Sequence, residues 1–122
     1  MKEPTVRKLR EKLDIIFSQF IRQRDKGKCY TCSKVDEWKY MQCGHYIPRA
    51  HNQLRFSEIN CHSQCPGCNM FHAGRMDIYA LNLIRDYGPD ILKKLNKEKQ
   101  ILKQWKVSEL EKLIKKYKKL VK

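Results

Sequence analysis

Two cysteine pairs carry the clearest chemistry in this sequence. Cys29-x-x-Cys32 and Cys65-x-x-Cys68 have the spacing of zinc knuckles, and four thiolates around one Zn²⁺ make a closed, tetrahedral structural site. The pairs lie 32 residues apart, more than a simple zinc ribbon needs, so the insert is expected to build something of its own. Cys61 could serve instead as Cys61-x-x-x-Cys65, but two matched knuckles are the simpler assignment. Cys43 and Cys61 then read as small buried side chains.

The insert is rich in imidazole and amide groups. His45 falls on a predicted strand that Pro48 ends. Asn60 and His62 alternate along a second short strand and so share one of its faces. Asn69 follows Cys68 directly at the expected start of a helix, and His72 lies on the same helical face. A zinc staple would tie these segments together, so their polar groups could converge on a second site. Arg49, His51, Asn52 and Arg55 form a polar loop beside His45 that suits phosphate. Each residue also has a plainer use: His45 bonding a backbone carbonyl, Asn60 closing a turn, Asn69 capping a helix, His62 and His72 on the surface.

The elements that must position these groups follow from periodicity. Val6, Leu9, Leu13, Ile16, Phe17, Phe20 and Ile21 form the apolar stripe of a helix that starts near Thr5 and stops at Gly27. Trp38, Tyr40 and Tyr46 fit strand positions, and the tryptophans Trp38 and Trp105 read as core. The stretch from Pro66 to Gly88 reads as helix with a break near Gly74, its later part striped by Met76, Tyr79, Leu83 and Tyr87. A helix from Asp90 to Lys99 follows. Ser108-x-x-Glu111 reads as the capping box of a last helix striped by Leu110, Leu113, Ile114, Tyr117 and Val121.

The expected fold is α+β and mostly helical: a small zinc-stapled finger flanked by N- and C-terminal helices. It forms a single domain over 1–122, with an N-terminal helix at 5–26, a zinc-bound core at 29–74 and a basic helical region at 75–122. Such a small fold benefits from a metal staple.

Charge narrows the partner. The net charge is +14, divided as +5 over residues 1–28, +1 over 29–89 and +8 over 90–122. The cysteine-rich middle is nearly neutral and its flanks are basic, which points to a polyanion. No apolar run is long enough to span a membrane. The charged start "MKEPTVRKLREK" lacks the apolar core of a secretory signal, so reduced cysteines in a cytoplasm are expected.

The stretches "FIRQRDKGKCYTC", "CGHY", "LRFSEINCHSQCPGCN" and "YALNLIRDYG" resemble the phage NinG/Rap recombination proteins, within the HNH nucleases. The resemblance runs from about Phe20 to Lys119, and this chain is shorter than the family's larger members. It implies an HNH, ββα-metal or treble-clef finger and a structure-specific endonuclease acting on branched intermediates such as four-way junctions and D-loops. By resemblance His45 is the general base, Asn60 holds that histidine or its loop, and Asn69 is a ligand of a catalytic Mg²⁺ or Mn²⁺. The products would carry 5′-phosphate and 3′-hydroxyl ends. Many HNH sites place Asp or His just before the base as a metal ligand. Gly44 stands there in this chain, so the missing ligand must come from elsewhere, among His62, His72, Glu58 and Asp36. Arg49, His51, Arg55 and Arg75 are the expected DNA contacts, a homodimer would match the two cuts of a junction, and the compartment would be the cytoplasm of a bacterial or phage-infected cell. A catalytically silent zinc module that binds nucleic acid and an HNH enzyme cutting linear duplex remain the alternatives.

Overall fold

The structure is a computed structural model that describes residues 4–122. The first helix, α1 (Val6–Arg24), starts where expected, with the Thr5 hydroxyl accepting the Lys8 N–H at 3.1 Å. It buries Leu9, Leu13, Phe17 and Ile21, one per turn. Gly27 ends it at φ +69, and a Cβ there would lie 1.9 Å from the Asp36 carbonyl oxygen. Only glycine lets the chain pass that close while turning into the first cysteine pair.

A two-stranded antiparallel sheet occupies the centre: β1 (Gln42–His45) pairs with β2 (Cys61–Gln64), with Gln42 opposite Gln64 and His45 opposite Cys61. Trp38 and Tyr40 are not in a strand. They form a 3₁₀ turn, Trp38–Tyr40, in which the Arg22 guanidinium covers the Trp38 ring at 5.1 Å and Tyr40 faces solvent. The aromatic spacing that suggested a strand is satisfied by this local helix contact.

The expected helix after Cys65 is two elements. A π-type turn, Gly67–Phe71, carries Cys68 and Asn69. Ala73, Gly74 and Arg75 then take positive φ in succession (+49, +82 and +47), and α2 (Met76–Tyr87) begins only afterwards. Tyr79 and Leu83 of its stripe are buried, while Met76 and Tyr87 are exposed. Next come α3 (Ile91–Lys99) and α4 (Val107–Leu120). The capping glutamate of α4 is Glu109, not Glu111: its Oε1 accepts the Lys106 N–H at 3.0 Å, so the helix opens two residues early.

Two apolar cores flank the sheet. On one side Leu9, Leu13, Phe17 and Ile21 of α1 meet Leu110, Ile114 and Tyr117 of α4, with Phe56 and Cys61. On the other, Tyr79 and Leu83 of α2 meet Ile91 and Leu95 of α3, with Ile47 and Leu54. Cys43 and Cys61 therefore face α1, while Gly44 and His62 face α2. Among the described residues no helix is long and apolar enough to cross a membrane.

Candidate metal centre and active-site cleft

The sulfurs of Cys29, Cys32, Cys65 and Cys68 all lie within 4.8 Å of one another, with 3.6 Å between Cys32 and Cys65. Four thiolates so close together repel unless something neutralises them: burial and the neighbouring sulfurs of Cys29, Cys65 and Cys68 push the Cys32 thiol up to about 12, against the Lys34 N–H. Burial pushes the Cys29 thiol up, but the backbone N–H groups of Cys65 and Thr31 more than offset this and bring it down to about 6. The Cys68 N–H points at Cys65 Sγ (3.5 Å), and Arg75 Nε donates to Cys68 Sγ at 3.2 Å. Four converging sulfurs with donors behind them fit a structural metal such as zinc, and such a cation would complete the local core of Cys29, Met41, Cys65 and Cys68. Arg75, expected to touch DNA, is committed to this centre instead.

A cleft of about 440 Å³ opens between α1 and β1, lined by Asp14, Ser18, Arg22, His45, Arg49 and Arg55 among others. His45 Nε2 lies 2.9 Å from the Arg55 carbonyl oxygen. A carbonyl only accepts, so Nε2 carries the proton and Nδ1 keeps its lone pair. Burial holds His45 below its ordinary value, against the Arg55 carbonyl and Asp14, which raise it. The imidazole is therefore neutral near pH 7. Asp14 anchors the far wall: Arg55 Nε donates to its Oδ1 at 2.9 Å and Arg55 Nη2 to its Oδ2, with Arg49 3.5 Å away. Arg55, buried in this pair, is not free for phosphate. Arg49 is exposed and can reach one.

Asn60 is fully buried and shapes the cleft from behind. Its Oδ1 accepts the Ile47 N–H at 2.9 Å, and its Nδ2 donates to Ile47 O (2.9 Å) and Leu54 O (3.3 Å). Asn60 thus clamps both ends of the loop that delivers the Arg55 carbonyl to His45. Asn69 Nδ2 donates to Gln42 Oε1 at 2.8 Å, which ties the π-type turn to the start of β1.

A scan against family models decides the relationship: the family described as Bacteriophage Lambda NinG protein matches residues 3–122. The chain belongs to the NinG family. It is 37% identical over 73 residues to protein ninG of Escherichia phage lambda, covering 58% of this chain and 35% of that protein. It is 38% identical over 71 residues to protein ninG of Salmonella phage P22, covering 57% and 34%, and 37% identical over 73 residues to that of Escherichia phage 933W, covering 58% and 36%. The matched stretch is thus 36% or less of each of these relatives. No solved structure matches significantly.

In this NinG-family chain the remaining expected residues do not gather at His45. His62 is buried on the α2 side, stacked on Tyr30 at 3.9 Å, with its nitrogens 3.1 Å from the hydroxyls of Tyr79 and Tyr87. Burial brings it down to about 4, as befits a neutral core group whose two nitrogens are already engaged, so it is not placed to ligate a metal. His72 is exposed at the end of the π-type turn. Glu58 accepts from Tyr117 Oη at 2.8 Å, and exposed Asp36 accepts the Glu37 N–H at 2.8 Å. His51 is half-buried at the start of the turn Asn52–Leu54.

Gly44 has a specific cause. A Cβ at this position would lie 1.8 Å from Gln64 Oε1, so Gln64 fills the space a larger residue before His45 would need. Gln64 is fully buried; its Nε2 donates to Thr31 Oγ1 and Gly74 O, while its Oε1 has no partner. Asp14, Arg22 and Gln64 were missed by sequence reasoning. A signal for the first two exists: Arg10, Asp14, Ser18 and Arg22 repeat every four residues beside the apolar stripe, a polar line that a purely solvated helix face does not need.

Proposed function

We propose that this protein is a metal-dependent endonuclease of the HNH type that hydrolyses phosphodiester bonds in branched DNA, such as four-way junctions and D-loops. The observation that carries the reading is the His45 ring, neutral, oriented by the Arg55 carbonyl and open to a cleft walled by Arg22 and Arg49. Family membership and the net charge of +14 support a DNA substrate. The hairpin, π-type turn and α2 beside the four-cysteine cluster are the parts expected of a treble-clef finger.

His45 Nδ1 takes a proton from the attacking water while Nε2–H stays on the Arg55 carbonyl, so the ring needs no reorientation as it becomes charged. Arg49 and Arg22 offer positive charge to the scissile phosphate. Asn60 keeps the loop, and through it the ring, in place. Amide oxygens such as those of Asn69 and Gln64 suit a hard cation, but Gln64 packs over Gly44 and Asn69 bonds Gln42 on the sheet face away from His45, so neither stands beside the base as a ligand. Mg²⁺ or Mn²⁺, when bound, would stabilise charge on the phosphate and the departing 3′ oxygen.

The test is incubation with a four-way junction and a matched linear duplex, with and without Mg²⁺ or Mn²⁺. Metal-dependent cleavage of the junction is the expected result, and equal cleavage of both substrates would favour a linear-duplex enzyme. A silent nucleic-acid-binding zinc module is the second reading, favoured by Gln64 filling the place of the usual ligand before His45. Binding without cleavage under every metal condition would establish it.

A further inference from the structure

The sequence leaves Cys43 and Cys61 as filler, but the fold puts them at the centre of the cleft. Cys43 and His45 alternate along β1, so they project from the same face. Cys61 of β2 stands directly opposite His45 on that face. Their sulfurs and an imidazole nitrogen all lie within 4.8 Å of one another, the same limit that holds among the four knuckle cysteines. Bond lengths of about 2.3 Å to sulfur and about 2.0–2.1 Å to nitrogen separate the ligand atoms of a tetrahedral zinc by roughly 3.3–3.8 Å, a contraction that small side-chain rotations supply. His45 Nε2 is taken by the Arg55 carbonyl, so Nδ1 is the nitrogen whose lone pair is free for a metal. Cys61 is fully buried, but half-buried Cys43 and His45 line the open cleft and give a cation its path.

We infer that Cys43, His45 and Cys61 form a second metal site, separate from the four-cysteine centre, that takes a soft divalent cation such as Zn²⁺ and keeps its fourth position open to the cleft. Two thiolates select zinc, cobalt or cadmium over Mg²⁺ or Ca²⁺. Binding releases the two thiol protons to solvent and leaves the cation with a neutral ligand set, so the arginines around the cleft do not repel it. With three protein ligands against four, this site is the weaker and more exchangeable of the two. If the proposed nuclease reading holds, the ion also occupies the lone pair that His45 uses as a base, so zinc beyond the first equivalent would stop cleavage reversibly. The site itself stands without that reading.

Cobalt tests it. Protein carrying one zinc per chain is titrated with Co²⁺ in the absence of DNA. The expected result is one further equivalent bound, with near-ultraviolet thiolate-to-cobalt absorption that disappears in Cys43→Ala and Cys61→Ala. His45→Ala should keep that absorption and bind cobalt at least 10-fold more weakly, the effect of losing one ligand of three. A thiol assay on the unmodified protein gives a readout independent of any variant: excess zinc should protect one thiol beyond those of the four-cysteine centre, that of half-buried Cys43. No second equivalent and no protection, or absorption unchanged in the Cys43→Ala/Cys61→Ala double variant, would overturn the inference. Cobalt uptake by a protein that never cuts DNA would leave the site standing and remove only the nuclease.

Discussion

The carbonyl oxygen of Arg55 lies 2.9 Å from Nε2 of His45, while the Arg55 guanidinium holds both carboxylate oxygens of Asp14. One residue therefore fixes the imidazole with its backbone and the opposite wall of the cleft with its side chain. His45→Ala should retain the four-cysteine zinc, the fold and DNA binding, while cleavage drops by roughly 10²–10⁴-fold, the usual worth of a general base. Single-turnover cleavage alongside zinc analysis measures both. Because burial keeps the folded His45 value below 6.5, the competent neutral form persists as pH falls to that value. Cleavage should therefore decline only at lower pH, as the ring protonates. Wild-type rates in His45→Ala would remove the base assignment.

Asp14→Ala leaves the Arg55 guanidinium, 12% exposed, without its carboxylate. Breaking such a partly buried pair from one side should cost about 2–4 kcal/mol. Urea unfolding of zinc-loaded protein gives the figure, and a loss within 0.5 kcal/mol would mean that the pair is held loosely.

Asn60→Ala deletes three hydrogen bonds inside the fold and strands the Ile47 N–H. At about 1 kcal/mol per bond, plus about 1–3 kcal/mol for the orphaned donor, a destabilisation of about 4–6 kcal/mol is expected. Asn60→Asp should not rescue it, because it cannot donate to the carbonyls of Ile47 and Leu54. Recovery in the aspartate variant would show that only the accepting oxygen matters.

Cys29→Ser or Cys68→Ser should lose the tightly held zinc and unfold the middle of the chain, since structural zinc binding is folding free energy in such modules. Replacing Cys43 and Cys61 together should leave that first zinc in place. Elemental analysis after extensive dialysis decides both outcomes, and its loss from the double variant would reassign the ligands.

The basic flanks need a gentler test than truncation. Removing residues 108–122 would strip Leu110, Ile114 and Tyr117 from the α1 core, so any lost DNA binding would report unfolding. Changing the exposed Lys112, Lys115, Lys118 and Lys119 to Gln leaves that face intact. If all four meet phosphates, affinity should fall and the log–log salt slope should shrink by about 3–4. An unchanged slope would mean that these lysines are only solvated.

Legibility in the sequence followed the range of the interaction. The stripe of α1, the cysteine pairs and the β2 segment were readable because each rests on local spacing. Trp38–Tyr40 misled because an alternating aromatic pattern fits a strand and a 3₁₀ turn alike, and the choice was made by Arg22 from another element. His62 looked like a ligand because a lone strand does not reveal which layer it faces; the answer depended on Tyr79 and Tyr87, 17 and 25 residues further on. Gly44 looked like a missing ligand, and its reason lay in the Gln64 side chain across the sheet.

The 19-residue helix α1 carries two stripes one residue out of phase: Leu9, Leu13, Phe17 and Ile21 toward the core, and Arg10, Asp14, Ser18 and Arg22 next to them, the last three lining the cleft. A one-residue offset is about 100° around a helix. In a saturation mutagenesis of this helix, cellular abundance and biological output would therefore rise and fall with the same period but displaced phase. Positions in the first stripe would deplete the protein, Ser18 in the second would leave its amount intact while silencing it, and Arg22, which also covers Trp38, would lower both. Asp14, which steadies the buried Arg55, would register in both.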